Sequence, residues 1–317
     1  MKKSTKIISI VLVCLLAVSA VFCGITALSY RSKYAKAEQR YNDVLTGGEY
    51  ISVEQFRNNA ERFGVGPEFI QSFFSDCIVF YGPFGLTFAP FDETIPENNY
   101  DWEELTVKGG FRSYEGGMVG IDVSQHQGEI DWEKVKASGV EFAMIRAGYT
   151  GYETGEQRLD ATFKYNIEEA LKNDVKVGVY FYTQAINTEE ANIEADFVLA
   201  AIEEYDITLP VTIDVEPAPS ESGRANFLDI EQQTEIIKTF CEKIKAAGYQ
   251  TMIYANTASL LESMYLSEVY MYGLWLAQYY KTPFFPYDFA VWQHTSQGQV
   301  DGIEGNVDLN IMFKKAG

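Results

Sequence analysis

Two acidic residues that alternate with apolar ones are the sharpest chemical signal in the sequence. Asp214 and Glu216 flank Val215, and Pro217 follows them directly. Residues two apart on a strand point to the same face, with a rise of roughly 6.6 Å between them. When two carboxylates lie close together in a partly desolvated site, the pKa of one of them is raised, which leaves one proton donor beside one anion. Glycoside cleavage requires that combination, although an acid-x-acid triplet on its own is more often a solvated surface.

Two further acids lie within apolar runs. Asp122 belongs to the run Val119–Val123, and Asp308 belongs to Val307–Ile311. An acid in such a run is costly unless it has a partner or a task, because burial penalises the charged form. The sequence therefore contains four carboxylates that each need a bonding partner or a catalytic role: Asp122, Asp214, Glu216 and Asp308.

Aromatic side chains cluster near the ends of the same apolar runs. Aromatic faces stack on the C–H faces of sugar rings, and tyrosine and tryptophan also offer a polar group. Any one of these residues is more simply explained by core packing, but the set favours a glycan-binding cleft. The candidate substrate-binding residues are Tyr180, Tyr182, Tyr254, Trp275, Gln278 and Trp292.

The sequence shows no competing catalytic machinery. It has two histidines, His126 and His294, which are far apart, so a zinc site is not expected. No Gly-x-Ser-x-Gly elbow, Walker loop or cysteine–histidine pair is present. The formal net charge of −20 gives a surface that repels polyphosphate and argues against a nucleic acid partner. We therefore expect no metal and no cofactor.

Eight short apolar runs, separated by helical patterns, must position these residues. Helical stripes that contain Phe163, Val198 and Phe240 lie between the earlier runs, whereas helices between the later runs are short or absent. This order predicts an α/β fold, an irregular (β/α)8-type barrel with its active site at the C-terminal strand ends. A doubly wound open sheet is the alternative, but no Gly-rich nucleotide-binding turn is present. The predicted strands are Val119–Val123, Phe142–Ala147, Lys176–Tyr182, Pro210–Val215, Gln250–Ala255, Leu274–Ala277, Phe289–Gln293 and Val307–Ile311.

The N-terminus has a different character. Three lysines precede Ile7–Ser29, a run of 23 residues without charge. As a helix this run spans roughly 35 Å, which is enough to cross a bilayer. A signal-peptide core is usually shorter, so we expect residues 1–29 to be an uncleaved membrane anchor. A cleaved signal peptide is the alternative, and in both cases the rest of the chain is expected to be extracytoplasmic.

The segment 30–116 connects this run to the barrel. It is predicted to contain a stalk and a small α+β region of unknown role, with a helix that begins at Pro67 and a hairpin within Ile78–Phe91. Gly116 and Gly117 then mark the start of the barrel domain, 117–317.

Taken together, the motifs form a recognisable set. Residues 117–317 resemble the glycoside hydrolase family 25 lysozymes, which cut the muramic acid linkages of peptidoglycan. The resemblance covers the whole predicted barrel in the right order. The segments that carry it are Gly120–Gly128, Ile130–Trp132, Phe142–Arg146, Val177–Tyr182, Asp214–Glu216, Leu274–Ala277, Trp292–Gln293 and Val307–Asn310.

The resemblance implies a role for each acid. Glu216 corresponds to the general acid, and Asp214 to a partner carboxylate that acts as nucleophile or orients the 2-acetamido group of the substrate. Asp122 and Asp308 correspond to two further acids of the cleft. The implied substrate is the β-1,4 bond between N-acetylmuramic acid and N-acetylglucosamine in peptidoglycan glycan strands. A catalytically inactive, membrane-tethered peptidoglycan-binding domain and a different glycan hydrolase, such as a chitinase, are the alternatives.

Overall fold

The computed structural model describes residues 66–71, 77–82 and 85–313. The chain divides into two compact units, Met1–Asp92 and Glu93–Gly317. The predicted anchor 1–29 and the stalk that follows it lie outside the described residues. Within the described ranges, no helix is long and apolar enough to cross a membrane.

The described part of the first unit is a short helix followed by a hairpin. Helix α1 (Pro67–Gln71) precedes strands β1 (Cys77–Gly82) and β2 (Gly85–Pro90), which pair antiparallel. The Gln71 amide joins the helix to β1, because its nitrogen donates to the Cys77 carbonyl at 2.9 Å and its oxygen accepts from the Val79 amide at 2.7 Å. Both the helix and the hairpin are where the sequence predicts them.

The second unit is a closed eight-stranded barrel, as predicted. Each barrel strand pairs with the next in chain order, and the last pairs with the first. All neighbouring pairs are parallel except those of the last strand, which is antiparallel to both of its neighbours. The barrel strands are β5 (Met118–Val123), β6 (Phe142–Thr150), β8 (Lys176–Tyr182), β9 (Val211–Asp214), β10 (Thr251–Asn256), β11 (Leu274–Ala277), β12 (Val291–Gly298) and β13 (Val307–Met312).

One further strand extends the sheet beside the barrel. Strand β7 (Gln157–Leu159) folds back antiparallel on the end of β6. The sequence did not predict it, because three residues without an apolar run carry no periodic signal.

Helices cover the first half of the barrel. They are α2 (Trp132–Ala137), α3 (Phe163–Lys172), α4 (Thr188–Ile202) and α5 (Ile230–Ala246). As predicted, Asn187 caps α4 by accepting a hydrogen bond from the Glu190 amide at 2.9 Å. The apolar stripe of each long helix is buried against the strands, which is what a 3.6-residue period produces on a helix surface.

The second half of the barrel is covered differently. After β10 come only the short helices α6 (Thr257–Glu262) and α7 (Leu266–Val269), and the described chain has no α-helix between β11 and β13. In their place lies the segment 93–116, which we call the strap and which contains the hairpin of β3 (Thr106–Lys108) and β4 (Phe111–Ser113).

Aromatic packing joins the strap to the barrel. The Tyr100 ring stacks on Phe313 at 4.2 Å, and the Trp102 ring lies parallel to Phe289 at 6.2 Å. The Tyr100 hydroxyl also donates to the Phe289 carbonyl at 2.6 Å. The strap therefore belongs to the same compact unit as the barrel, whereas the sequence interpretation grouped these residues with the N-terminal region.

Apolar side chains fill the lower part of the barrel interior. Phe142, Met144, Met252, Trp275 and Val291 form one buried cluster. The Phe142 ring occupies the space beside Gly120, where an added Cβ would lie 2.3 Å from it. The interior is thus a packed floor with the polar side chains gathered above it, at one end of the barrel.

Candidate active site

The four acids meet at one end of the barrel. Asp122 lies near the end of β5, Asp214 is the last residue of β9, and Glu216 follows two residues later. Asp308 is the second residue of β13, and it reaches the same end because that strand runs in the opposite direction. Asp308 and Asp122 are direct cross-strand partners.

Two side-chain amides hold Asp122. Its Oδ2 accepts one hydrogen bond from the Gln293 amide at 2.8 Å and another from the Asn310 amide at 2.7 Å. Asp122 is buried, and burial followed by the charge of Asp308 raises its pKa well above the usual value. The two amide donors oppose that shift, since hydrogen bonds to a carboxylate favour its charged form.

The two amides are themselves fixed in orientation. The Gln293 oxygen accepts from the hydroxyls of Tyr254 at 2.8 Å and Tyr279 at 2.6 Å. The Asn310 oxygen accepts from the Trp275 indole at 2.8 Å. Because each amide oxygen already has a donor, each amide nitrogen must face Asp122.

Asp214 is unusual among the four acids in its hydrogen bonding. It is buried, and its Oδ1 has no hydrogen-bond partner among the described residues. Burial and then the charge of Glu216 raise its pKa well above the usual value, while the positive charge of Arg146 opposes that rise. A buried carboxylate oxygen without a partner is costly in a folded protein, so Asp214 is a residue that needs a functional reason to be there.

The pKa values of Glu216 and Asp308 are both raised toward neutrality. Burial, followed by the charge of Asp308, raises the pKa of Glu216 to about 7. Burial also raises the pKa of Asp308 to about 6. At neutral pH the cleft thus contains a carboxylic acid that can donate a proton, close to carboxylates that cannot all be charged at once.

Arg146 supplies positive charge at this site, and the sequence interpretation did not assign it a role. Its Nε forms an ion pair with the Asp160 carboxylate at 2.7 Å, and its guanidinium lies 5.3 Å from the Tyr149 ring centre. Asp160 also accepts from the Gln125 backbone amide at 3.0 Å, so this pair ties the loop after β5 to β6. The sequence does carry a signal for this role, because Arg146 is a charged residue inside the apolar run Phe142–Ala147.

Four of the six predicted substrate-binding residues line or support the cleft. Burial and the neighbouring aspartates raise the pKa values of Tyr180 and Tyr182, and Tyr182 and Tyr254 flank Asp214 across adjacent strands. Trp275 lies beneath them with its indole ring against Tyr254 at 4.6 Å. Because Trp275 is almost wholly buried, it supports the cleft floor and presents no face to a sugar.

Trp292 and Gln278 lie outside the acidic cleft. Strand side chains alternate, so Gln293 faces the interior and Trp292 faces outward, where its fully buried ring packs near Trp102 and its indole donates to the Gln278 carbonyl at 2.7 Å. The Gln278 amide is occupied by Thr257 and by the backbone of the β11–β12 loop. Their assignment as sugar contacts is therefore corrected to a structural role.

The histidines and acids that the structure describes form no metal site. His294 is buried, and burial followed by the charge of Arg112 lowers its pKa to about 4, so it is neutral. Within the described ranges, no group of three or more histidine, cysteine or carboxylate side chains is arranged to hold a metal ion. The chemistry that the cleft does offer is proton donation beside a buried carboxylate.

Comparison with known proteins identifies relatives of the barrel. A sequence profile of the glycosyl hydrolases family 25 matches residues 121–303. The Escherichia coli K12 protein YegX is 29% identical over 203 residues, which cover 61% of this chain and 68% of that protein. Lysozyme M1 of Streptomyces globisporus is 28% identical over 211 residues, which cover 61% of this chain and 67% of that enzyme.

A solved structure extends the comparison to the fold. The modular autolysin LytC from Streptococcus pneumoniae, determined in complex with a synthetic peptidoglycan ligand, has a TM-score of 0.58 at 23% identity, covering 76% of this chain and 57% of the autolysin. This likeness concerns the fold, and the chain spans little more than half of the autolysin's length. The profile match, which covers more than half of the chain and includes Asp122, Asp214 and Glu216, shows that the chain belongs to glycosyl hydrolases family 25.

Proposed function

We propose that this chain hydrolyses peptidoglycan at the β-1,4 bond between N-acetylmuramic acid and N-acetylglucosamine. Family membership and the similarity to Lysozyme M1 support a lysozyme-type substrate. One observation carries the chemistry. Glu216, whose pKa is raised to about 7, lies two residues from Asp214, a buried carboxylate with an oxygen free of hydrogen bonds within the described chain.

Glu216 is the general acid in this proposal. A group with a pKa of about 7 is about half protonated at pH 7, and the protonated form can give its proton to the glycosidic oxygen as the bond breaks. Once it has lost that proton, Glu216 can accept one from the water that completes hydrolysis. The proton therefore returns to the same carboxylate at the end of each turnover.

Asp214 is the partner anion. Its carboxylate either attacks the anomeric carbon of the muramic acid residue or fixes the 2-acetamido group that does so. The charge of Glu216 is a cause of the raised pKa of Asp214, so a protonated Glu216 makes it easier for Asp214 to be ionised. Arg146 favours the same charged state. Both routes lead to net retention of configuration.

Asp308 and Asp122 support the pair in different ways. The charge of Asp308 raises the pKa of Glu216, so Asp308 helps to keep the catalytic proton in place. Asp122 is fixed by the amides of Gln293 and Asn310, so its charge has a defined position relative to an oxocarbenium-like centre. Tyr180, Tyr182 and Tyr254 are then the proposed walls for the sugar rings.

The proposed substrate also bears on location. Peptidoglycan lies outside the cytoplasm, so we propose an extracytoplasmic protein, with residues 1–29 as a membrane anchor. Membrane fractionation, with and without deletion of 1–29, tests this part separately. Release of the full-length chain in soluble form would exclude the anchor.

Product analysis tests the proposed bond. Purified peptidoglycan is digested, the new reducing ends are reduced with borohydride, and the sugar alcohols are identified after acid hydrolysis. We expect muramitol, and we expect its release to require Glu216, with Glu216→Gln as the control. Glucosaminitol in its place would indicate a glucosaminidase. Binding to the wall without new reducing ends would favour the alternative of an inactive binding domain.

A further inference from the structure

A single arginine joins the strap to the rim of the cleft. Arg112 lies in β4, upstream of the residues that match the family profile. Its Nη1 donates to the backbone carbonyls of Tyr280 at 2.5 Å and Lys281 at 2.9 Å. The guanidinium also lies 5.5 Å from the centre of the Trp292 ring, close enough for a cation–π contact. Arg112 thus holds the turn that follows β11 against the outer wall of β12.

That turn carries Tyr279, a residue of the Asp122 network. The Tyr279 hydroxyl donates to the Gln293 oxygen at 2.6 Å, and the Gln293 nitrogen donates to Asp122 at 2.8 Å. Burial, followed by the charges of Asp308 and Asp122, raises the pKa of the Tyr279 hydroxyl, so that hydroxyl lies within the field of the acids.

The position of Tyr279 depends on its backbone. Its side chain is half-exposed, so core packing holds it on one side at most. The backbone is fixed on either side of it: the Trp292 indole donates to the Gln278 carbonyl at 2.7 Å, and Arg112 binds the two carbonyls that follow. Arg112 thus supplies the side-chain hydrogen bonds to the backbone after Tyr279. They lie beside the hydrogen bond from the Tyr280 amide to the Gln278 carbonyl at 3.1 Å and the Tyr280–Phe284 ring contact at 4.8 Å.

From this chain of contacts we infer that Arg112 is a positioning residue of the active site. It fixes the turn that carries Tyr279, Tyr279 then orients the Gln293 amide, and Gln293 holds Asp122 in place. The inference rests on the proposed function, since it assumes that Asp122 works in glycan hydrolysis. It also gives the strap a task beyond covering the barrel.

Loss of Arg112 should have a specific kinetic signature. In Arg112→Gln, the Gln293 amide keeps its bond from Tyr254 but loses a well-placed Tyr279, so we expect kcat/KM on soluble glycan strands to fall about tenfold. The Gln293 hydrogen bond lowers the pKa of Asp122. A weaker bond therefore raises that pKa, and the acidic limb of the pH–rate profile should move to higher pH.

A double-mutant cycle in the full chain tests the inference. The variants are Arg112→Gln, Tyr279→Phe and the double mutant, with kcat/KM and pH profiles measured at least 15 °C below each melting temperature. Lys108→Gln is the control, because Lys108 is an exposed residue of the same hairpin. If Arg112 acts through the Tyr279 hydroxyl, the double mutant should be no slower than Tyr279→Phe, which is strongly non-additive.

The outcomes separate the two proposals. Losses that multiply in the double mutant, or a normal rate and pH profile in Arg112→Gln, would overturn the positioning role while the wild type remains active. A wild type without hydrolytic activity would instead overturn the proposed function, and this inference with it. Should Arg112→Gln fail to fold, Arg112→Lys takes its place in the cycle. Lysine keeps a charged donor but lacks the forked geometry, so the same non-additivity is expected with a smaller loss.

Discussion

The two halves of the barrel hold their catalytic residues by different means. From β5 to β9, each barrel strand is followed by a helix, and Asp214 and Glu216 emerge directly from the end of a buried strand. From β10 to β13, long helices are replaced by the strap, and this half supplies Asp308 together with Gln293 and Asn310, whose amides hold Asp122 of β5. Regular βα units are therefore enough to present the acid pair. Asp122 instead depends on contacts between segments that are distant in the sequence.

The largest effect is expected where the regular half presents its proton donor. Glu216→Gln removes the acid but keeps the shape of the side chain, so hydrolysis of wall material should fall about 10³-fold, within the range for loss of a positioned acid. Turbidity loss of a cell-wall suspension measures this. Glu221→Gln, at an exposed position of the following loop, is the matched control and should be fully active. Near-normal turnover in Glu216→Gln would show that the acid pair is wrongly assigned.

A moderate effect, on stability, is expected in the strap, which covers the half of the barrel that lacks long helices. Trp102→Ala removes a ring that packs on Phe289 and lies near Trp292, so the free energy of unfolding should fall by about 2 kcal/mol, less than for a fully buried tryptophan. Chemical denaturation of the full chain measures this. Val107→Ala, at a 75% exposed position of the same strap, should change it little. Equal stability of the two variants would mean that the strap does not support the irregular half.

The smallest effect is expected at Asp308, a residue of the second half that acts on Glu216 of the first half. Asp308, from β13, raises the pKa of Glu216, so Asp308→Asn should lower that pKa. The catalytic acid then loses its proton at lower pH, and the basic limb of the pH–rate profile should move down by about half a unit to one unit. Asp301→Asn, an exposed aspartate of the preceding loop, should leave the limb in place. An unchanged limb in Asp308→Asn would mean that Asp308 does not act on Glu216.

Sequence patterns identify the residues that are exceptional in their local context. Asp122, Asp214 and Asp308 stand out because an acid inside an apolar run needs a reason to be there. The eight barrel strands and the capped helix after β8 follow from periodicity in the same way. These features depend on residues that are close together in the chain.

Features that depend on pairing between distant strands are not predictable in this way. Gln293 and Asn310 bind Asp122 only because β12 and β13 close the barrel beside β5, and nothing local specifies that β13 runs antiparallel. Its aromatic type alone suggests a place for Trp292 in the cleft, whereas the alternation of side chains along the strand turns it outward. Arg112 lies in a segment that carries no catalytic motif, and its contacts lie about 170 positions further along the chain.

One measurement tests the central claim, that Glu216 gives the proton and Asp214 provides the anion. Rates are compared for Glu216→Gln and Asp214→Asn on glycan strands and on a soluble muramyl glycoside with a 4-nitrophenolate leaving group. That leaving group needs no proton, so we expect Glu216→Gln to recover most of its lost rate on the activated substrate, while Asp214→Asn stays about 10²-fold or more below wild type on both. Recovery by Asp214→Asn and not by Glu216→Gln would reverse the two roles. Equal losses on both substrates would contradict the acid assignment.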